Sequence, residues 1–288
     1  MLKAFHSNWT RPFFLRNKDR PYFIEDYDLL TTILSALEWK KHNGNIEMVT
    51  DKTGKEYYLM LGITHIWDSE INTSLDMLDS EHISPLPFWA AGKIFALRQQ
   101  LAPCVMLDTD FIVWKSIADT IHGKTLVVTH RENINTCIYP EKSFFNMAAG
   151  YHFPAEWNWL ALPCNTALLY IANNEFKEYY TSESIRFMRN LQKSVDITAE
   201  MVFAEQRLLA MCAFVKKIPI ATFLNKDSLD TQDYFTHVWG LKSELQTYEF
   251  IRREFCLSCV KRIAIDFPEE ISVLKKIDSL KAYIEVIC

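Results

Sequence analysis

Strand-length apolar runs alternate with helical patterns over residues 1–130 of the 288-residue chain. The apolar runs lie at residues 2–6, 46–50, 63–67, 103–107 and 125–129, and the helical patterns lie at 27–42, 55–61 and 88–100. Alternation of this kind is typical of α/β folds, in which helices cover a largely parallel sheet. The sequence therefore predicts an α/β fold with a mixed, mostly parallel sheet flanked by helices.

Helical patterns dominate the remainder of the chain. They lie at residues 176–191, 198–214, 247–263 and 269–286, with one further strand pattern at 218–223. The sequence has no internal repeat, no low-complexity segment and no evident linker. We therefore expect one domain, in which residues 244–288 form a helical C-terminal extension of the part formed by residues 1–243.

Composition and charge exclude several classes of protein. The chain has only 7 glycines and neither a GxGxxG nor a GxxxxGK[ST] motif, which argues against common phosphate-binding loops. A formal net charge of -5 argues against a nucleic-acid partner. No apolar run approaches the roughly 20 residues of a membrane span. The first residues lack the apolar stretch of a signal peptide, and the 7 cysteines are scattered, so we expect a reduced, cytoplasmic protein.

Residues 8–22, which we expect to form a loop, combine basic and aromatic side chains. The cations are Arg11, Arg16, Lys18 and Arg20, the one acid is Asp19, and the aromatic residues include Trp9, Phe13 and Phe14. Segments of this composition can lie on an anionic membrane surface. The simpler interpretation is a solvated loop anchored by its aromatic residues. Peripheral contact with the inner face of a membrane therefore stays open as an alternative.

An apolar run leads directly into two aspartates, in the sequence Cys-Val-Met-Leu-Asp-Thr-Asp at residues 104–110. Two carboxylates between buried segments cost desolvation free energy and repel each other, and a divalent cation relieves both effects. Their oxygen ligands suit Mg²⁺ or Mn²⁺, and open parallel sheets bind ligands beyond the carboxyl ends of their strands. Asp108 and Asp110 are therefore candidate metal ligands. The alternative is a turn in which both aspartates cap backbone amides.

The sequence Met-Leu-Asp-Thr-Asp at residues 106–110 resembles the DxD motif of GT-A fold glycosyltransferases, in particular those of the retaining family-8 type. Four more segments resemble motifs of that family in the same order. They are the helix at 88–97 with Lys93, the strand at 164–169 with Asn165, the pair Glu205-Gln206, and the segment from His237 to Lys242. The resemblance implies a GT-A type, Rossmann-like fold with a nucleotide-sugar-binding catalytic domain over residues 1–243.

The chain also departs from the motifs of that family. Ala167 stands where the family has glycine, Glu205 stands where it has aspartate, and Lys242 follows Gly240 by two residues instead of three. We therefore expect a divergent relative.

The resemblance also implies roles for individual residues. Asp108, Asp110 and His237 would hold the metal, and the imidazole ligand favours Mn²⁺ over Mg²⁺. Lys93 and Lys242 would contact the donor. The residues placed at the reacting sugar are Asn165, Glu205 and Gln206. By analogy, the residues that follow the first two strands would contact uracil and ribose, namely His6, Ser7, Asn8 and Asp51.

Structural roles are the alternative for the same residues. His237 could be a satisfied interior histidine, and Lys93 could extend from an alanine-rich helix towards solvent. Asn165 could pair with a loop backbone. Glu205 and Gln206 could lie on the exposed side of an amphipathic helix.

The sequence thus favours a metal-dependent glycosyltransferase that moves a hexose from a nucleotide-sugar, expected to be a UDP-sugar, to a glycan or glycoconjugate acceptor, such as a saccharide or a glycolipid. The family-8 resemblance implies retention of configuration, while Glu205 acting as a base would imply inversion. One alternative is a nucleotidyltransferase that forms the nucleotide-sugar, although the N-terminal segment lacks the glycine-rich loop of such enzymes. The other is a non-catalytic protein that binds a nucleotide-sugar.

Overall fold

The computed structural model describes residues 2–224, 228 and 231–287. The strands in this part of the chain are β1 (Leu2–Asn8), β2 (Gly44–Thr50), β3 (Cys104–Leu107), β4 (Phe111–Val113), β5 (Leu126–Arg131), β6 (Asn146–Met147), β7 (Cys164–Ile171), β8 (Leu191–Lys193), β9 (Ile220–Thr222) and β10 (Phe235–His237). The α-helices are α1 (Arg11–Arg16), α2 (Asp26–His42), α3 (Lys52–Leu61), α4 (Ala91–Gln99), α5 (Ala118–Ile121), α6 (Asn174–Asn190), α7 (Ile197–Val202), α8 (Leu208–Val215), α9 (Lys242–Thr247), α10 (Glu249–Asp266), α11 (Ile271–Leu274) and α12 (Asp278–Ile287).

Six strands form the central sheet in the order β2-β1-β3-β7-β5-β9. Strand β7 runs antiparallel to both of its neighbours, and the other pairings are parallel. Helices cover both faces. The predicted fold class, an α/β fold with a mostly parallel sheet flanked by helices, is therefore confirmed.

Alternation along the strands divides the core into two layers. Ala4, Val105 and Leu107 point towards α2 and the C-terminal helices α10 and α12, with which they form one cluster of buried residues. Phe5 and Met106 point to the opposite face and pack with α4, α6 and α8. Since side chains of a strand alternate between faces, every strand of this sheet contributes to both layers.

The C-terminal helices share the first of these layers. Cys256, Val260 and Ile263 of α10 are fully or almost fully buried in the cluster that also contains α2. Ion pairs lie beside this contact, with Nε of Arg252 2.7 Å from Asp26 and Nζ of Lys41 3.0 Å from Asp266.

Three local expectations were wrong. The segment 8–22 is not loop throughout, because α1 begins beside Pro12, whose fixed φ suits a first helical turn. Residues 63–67 form no strand, since Ile63, Ile66 and Trp67 are buried at helical spacing around a 3₁₀ turn, Thr64–Ile66. The helix expected at 269–286 is divided into a 3₁₀ turn (Pro268–Glu270), α11 and α12.

A two-stranded antiparallel sheet formed by β4 and β10 was not expected from the sequence. Its register pairs Phe235 with Val113 and His237 with Phe111. The rings of Phe111 and Phe235 lie 4.5 Å apart between centroids, which holds the two strands together. This small sheet brings a segment from residue 235 onward to the carboxyl end of β3.

Two further features bear on the expected environment of the chain. Among the described residues, no helix combines the length and the apolar character that crossing a bilayer requires. The six described cysteines are free thiols, five of them buried.

Gly92 in α4 lies against β1 and the segment that follows it. A Cβ at this position would lie 2.8 Å from Cβ of Trp9 and 3.1 Å from Cδ1 of Leu75. We therefore expect Gly92→Ala to destabilise the fold by about 1–3 kcal/mol through overpacking, measured as a lower midpoint of thermal or urea unfolding. Gly240→Ala is the matched control, because among the described residues no atom beyond its chain neighbours lies within 4 Å of the position that a Cβ would take. An equal effect of both substitutions would contradict the interpretation.

Candidate metal centre and active site

The turn that joins β3 to β4 fixes the two aspartates of the DxD motif. The backbone N–H of Asp108 donates to the carbonyl of Ala167 in β7 at 2.8 Å, and the N–H of Phe111 donates back to the carbonyl of Asp108 at 3.1 Å. The side chain of Asp110 is 9% exposed and that of Asp108 is 22% exposed. The turn therefore holds two largely buried carboxylates beyond the carboxyl end of a central strand.

His237 reaches these carboxylates from the end of β10. The N–H of the next residue, Val238, donates to the carbonyl of Asp110 at 3.0 Å, and Nε2 of His237 lies 3.7 Å from Oδ1 of Asp110. Three potential metal-ligand atoms lie within 4.8 Å of one another, one from each of Asp108, Asp110 and His237. Two carboxylate oxygens and one imidazole nitrogen at this spacing fit a divalent cation such as Mn²⁺.

Each of the two aspartates pairs with a different lysine. Nζ of Lys93, in α4, lies 2.6 Å from Oδ1 of Asp108 and also forms an ion pair with Glu205. Nζ of Lys242, at the start of α9, lies 3.0 Å from Oδ2 of Asp110 and 3.1 Å from Asp28 of α2. The structure therefore brings both lysines singled out from the sequence to the acidic cluster.

The same charges push the pKa values of the two aspartates apart. Burial raises the pKa of Asp108 to about 7, and repulsion by Asp110 and Glu205 adds to the shift against the attraction of Lys93. Burial would also raise the pKa of Asp110, but the charge of Lys242 in particular outweighs it and holds that pKa below its ordinary value. The pKa of His237 is lowered, first by burial and then by the nearby lysines, so the imidazole is neutral and able to bind a metal at neutral pH.

Glu205 and Gln206 lie in a π-helical turn, Phe203–Arg207, between α7 and α8. Such turns widen the helix and are frequent at functional sites. Glu205 is buried and its Oε1 accepts a hydrogen bond from the hydroxyl of Thr166 at 2.6 Å. Gln206 is half-buried, and its Oε1 accepts a hydrogen bond from the hydroxyl of Tyr139 at 2.7 Å. The alternative in which both lie on an exposed helix face is therefore wrong for Glu205.

Asn165 lies at the edge of β7, where the pairing with β5 is irregular between Val128 and His130. Its Oδ1 accepts a hydrogen bond from the N–H of Ala167 at 3.2 Å, and the side chain is half-buried. The hydroxyl of the adjoining residue, Thr166, donates to Oε1 of Glu205 at 2.6 Å. At this end of β7, the side chain that contacts Glu205 is thus that of Thr166, whereas Asn165 forms a local hydrogen bond with the backbone.

The expected contacts with uracil and ribose are the least well supported. His6 has no exposed surface. Both ring nitrogens are engaged inside the protein, since Nε2 lies 3.1 Å from the hydroxyl of Ser35 and Nδ1 accepts a hydrogen bond from Nε1 of Trp67 at 3.4 Å. A direct contact between His6 and a nucleotide is inconsistent with this burial. Asp51 is also buried, since its carboxylate caps α3 and binds Thr10.

The other two residues of that group are less enclosed. The amide of Asn8 donates to the hydroxyls of Tyr22 and Tyr58 at 2.9 and 2.8 Å. The hydroxyl of Ser7 is buried and has no hydrogen-bond partner among the described residues. Of these four residues, Ser7 is therefore the one whose side-chain hydroxyl forms no hydrogen bond within the described part of the chain.

Sequence reasoning missed Asp28 and Thr166. Asp28 lies far from any motif, and its carboxylate has a raised pKa because it is buried, although Lys242 opposes the shift. Thr166 follows a residue that was singled out, but its own side chain gave no signal. Both became apparent only when the fold brought them to a lysine or a glutamate of the cluster.

Comparison with known proteins gives a family. A family model described as "Family of unknown function (DUF6734)" matches residues 2–276. The chain belongs to the DUF6734 family. No curated protein matches the sequence.

Solved structures similar to this fold are glycosyltransferases. PaToxG glycosyltransferase is 14% identical over 99% of this chain and 86% of its own, with a TM-score of 0.41. Mouse xyloside xylosyltransferase 1 is 9% identical over 77% of this chain and 84% of its own, with a TM-score of 0.40. GlyE of Streptococcus pneumoniae TIGR4 is 12% identical over 78% of this chain, with a TM-score of 0.39, and the match spans 46% of its length. Scores of this size carry no inference about function.

The burial of His6 predicts a loss of stability in acid. Burial lowers its pKa from 6.5 to about 3, although Asp110 opposes the shift, so the unfolded chain binds a proton that the folded chain does not between these pH values. The stability from this group is complete above pH 6.5 and falls as pH falls, by up to about 1.4 kcal/mol per pH unit.

Chemical unfolding measured at neutral pH and at about pH 5 tests this expectation. His6→Gln should remove about 2 kcal/mol of the acid-induced loss, whatever its effect at neutral pH. His122→Gln, at an exposed position, is the control and should leave the loss unchanged. If His6→Gln and wild type lose the same stability, His6 is not buried neutral.

Proposed function

We propose that this chain is a metal-dependent glycosyltransferase that moves a hexose from a nucleotide-sugar to a glycan or glycoconjugate acceptor. The observation that supports it most is the cluster of Asp108, Asp110 and His237, with Lys93 paired to Asp108 and Lys242 paired to Asp110. Paired carboxylates with an imidazole suit a divalent cation, and two cations beside them suit a diphosphate. A nucleoside diphosphate sugar carries both the metal-binding phosphates and the group to be transferred, and we propose a UDP-sugar.

A metal ion bound here would act as a Lewis acid on the departing diphosphate. Asp108, Asp110 and His237 would supply its protein ligands, with Mn²⁺ favoured over Mg²⁺ by the imidazole. Lys242 is the more exposed of the two lysines, at 33% of its side chain, and would pair with the phosphates. Its charge would stabilise the negative charge that develops on the leaving group.

The partners of Glu205 favour retention of configuration. An inverting enzyme needs a carboxylate that can accept a proton from the acceptor. Oε1 of Glu205 already pairs with the ammonium of Lys93 and accepts a hydrogen bond from the hydroxyl of Thr166, so this oxygen is engaged and not free to face an acceptor hydroxyl. We therefore propose that Glu205, with Gln206 and Asn165, lies beside the reacting sugar and stabilises positive charge on it.

The arrangement of the chain agrees with one catalytic unit. We propose that residues 1–243 form the nucleotide-sugar-binding part and that residues 244–288 complete it as a helical extension. Gln246 of α9 donates to the hydroxyl of Tyr27 in α2 at 3.1 Å, which ties the extension to the helix that carries Asp28. The free thiols agree with a reducing compartment, and we propose a cytoplasmic location.

Metal-dependent nucleotide binding is the first test. Wild type should bind UDP with Mn²⁺ and far more weakly without it, as measured by calorimetry. Asp110→Asn should weaken UDP binding in Mn²⁺ by at least about a hundredfold, because removing a ligand charge costs more than the 10–100-fold typical of losing a ligand's hydrogen-bond partner. Asp278→Asn, an exposed acid on α12, is the control and should bind as wild type does. Binding of UDP that ignores both Mn²⁺ and Asp110 would refute the proposed site.

Donor hydrolysis tests the reaction without an acceptor. In a panel of UDP- and GDP-sugars with Mn²⁺, we expect slow release of UDP from at least one UDP-sugar. Glu205→Gln should lower that rate by about a hundredfold or more, since it removes charge beside the reacting centre, while UDP affinity changes by less than about threefold.

The same panel separates the alternatives. Pyrophosphate released from a nucleoside triphosphate and a sugar phosphate would favour the nucleotidyltransferase. Tight UDP binding with no hydrolysis or transfer of any sugar would favour a non-catalytic binding protein.

A further inference from the structure

Residues 9–24, here called the basic segment, are positively charged in an acidic protein. The segment contains four cations and one acid, Asp19, whereas the formal net charge of the whole chain is -5. Its cations Arg11, Arg16, Lys18 and Arg20 are all exposed. The charge of this segment therefore has the opposite sign to that of the protein as a whole.

Three of these cations are free to meet an external anion. Among the described residues, no acid forms an ion pair with Arg16, Lys18 or Arg20. Arg11 lies 3.6 Å from Asp79, but both side chains are about 60% exposed, so water and salt screen the pair. Ion pairs within the described part of the chain thus leave most of the positive charge of the basic segment unneutralised.

The basic segment is fixed to the fold despite its exposed charges. The N–H and hydroxyl of Thr10 donate to Asp51 at 2.8 and 2.9 Å. The ring of Phe13 lies 5.1 Å from those of both Tyr22 and Phe23. Because these anchors already order the segment, little conformational entropy is lost when its cations meet a flat surface.

Apolar side chains accompany the cations. Leu15, between Arg11 and Arg16, is 45% exposed. Leu86 and Trp89, on the segment that leads into α4, are 45% and 39% exposed. The start of α4 packs against the basic segment, because Gly92 lies against Trp9. Exposed cations beside exposed apolar side chains are typical of proteins that bind the interface of a membrane.

This surface lies next to the acidic cluster. The basic segment follows β1, and β1 pairs in parallel with β3, which ends immediately before Asp108. Lys93 follows Gly92 in α4, so one helix contacts both the basic segment and Asp108. A surface bound by the basic segment would therefore lie at the rim of the site.

We propose that the basic segment docks the protein onto an anionic lipid membrane, with the metal centre at the membrane surface. The charge of the segment selects the partner, because each lysine or arginine near an anionic bilayer adds favourable electrostatic free energy. This surface is independent of the proposed chemistry. It would bring the site to acceptors that are carried by lipids.

Vesicle co-sedimentation tests the proposal with the full chain and without nucleotide or metal. Wild type should bind vesicles of phosphatidylcholine with phosphatidylglycerol, but not vesicles of phosphatidylcholine alone. Binding should fall at high salt, because screening weakens it. The triple variant Arg16→Glu, Lys18→Glu, Arg20→Glu should lower the partition coefficient by at least about tenfold.

Two matched variants complete the test. Lys275→Glu, Lys276→Glu, Lys281→Glu makes the same change of charge at exposed positions of the C-terminal helices and should leave binding within about twofold of wild type. Arg16→Lys with Arg20→Lys keeps the charge and should keep binding. Equal loss in both triple variants would mean that only net charge matters and would overturn the proposal, as would wild type that does not bind anionic vesicles. Because UDP binding is measured separately, failure here leaves the proposed function intact, and failure of UDP binding leaves this surface intact.

Discussion

Three carboxylates that repel one another lie close together at this site, and the rest of the site depends on how that repulsion is offset. Asp108, Asp110 and Glu205 are all largely buried, and each pays a desolvation cost that a folded protein offsets only with nearby cations. Lys93 lies between Asp108 and Glu205, and Lys242 lies between Asp110 and Asp28. Each lysine thus bridges two acids. The two lysines therefore face four acidic side chains, and the cluster carries a net negative charge.

The side chains of this cluster come from elements that are far apart in sequence. Lys93 comes from α4, the aspartates follow β3, Glu205 lies in a π-helical turn, and His237 ends β10. The short sheet of β4 and β10 is decisive, because it converts a separation of more than a hundred residues into a 3.7 Å approach between His237 and Asp110. A helix with ordinary spacing in place of the π turn would rotate Glu205 relative to its neighbours on α7 and α8.

The sequence contained most of the fold, but only part of the site. Apolar runs located β1, β2, β3 and β5, because buried strands leave a local pattern. The three-residue strands β4 and β10 leave none, and their pairing depends on contacts distant in sequence. Asp108 and Asp110 were identifiable because charges within an apolar run are costly wherever they occur. His6 was misread, since the pattern that places it at a strand end does not say that Ser35 and Trp67 enclose its ring.

The balance of charge also indicates how the site would respond to a ligand. A divalent cation at Asp108, Asp110 and His237 would compete with both lysines for the same carboxylate oxygens. Lys242 is better able to move than Lys93, because it is the more exposed and lies at the first residue of a helix. Lys93 is held on its other side by Glu205, whose oxygen also binds Thr166. The geometry thus separates the two lysines into one that is freer to move, Lys242, and one that is held between Asp108 and Glu205, Lys93.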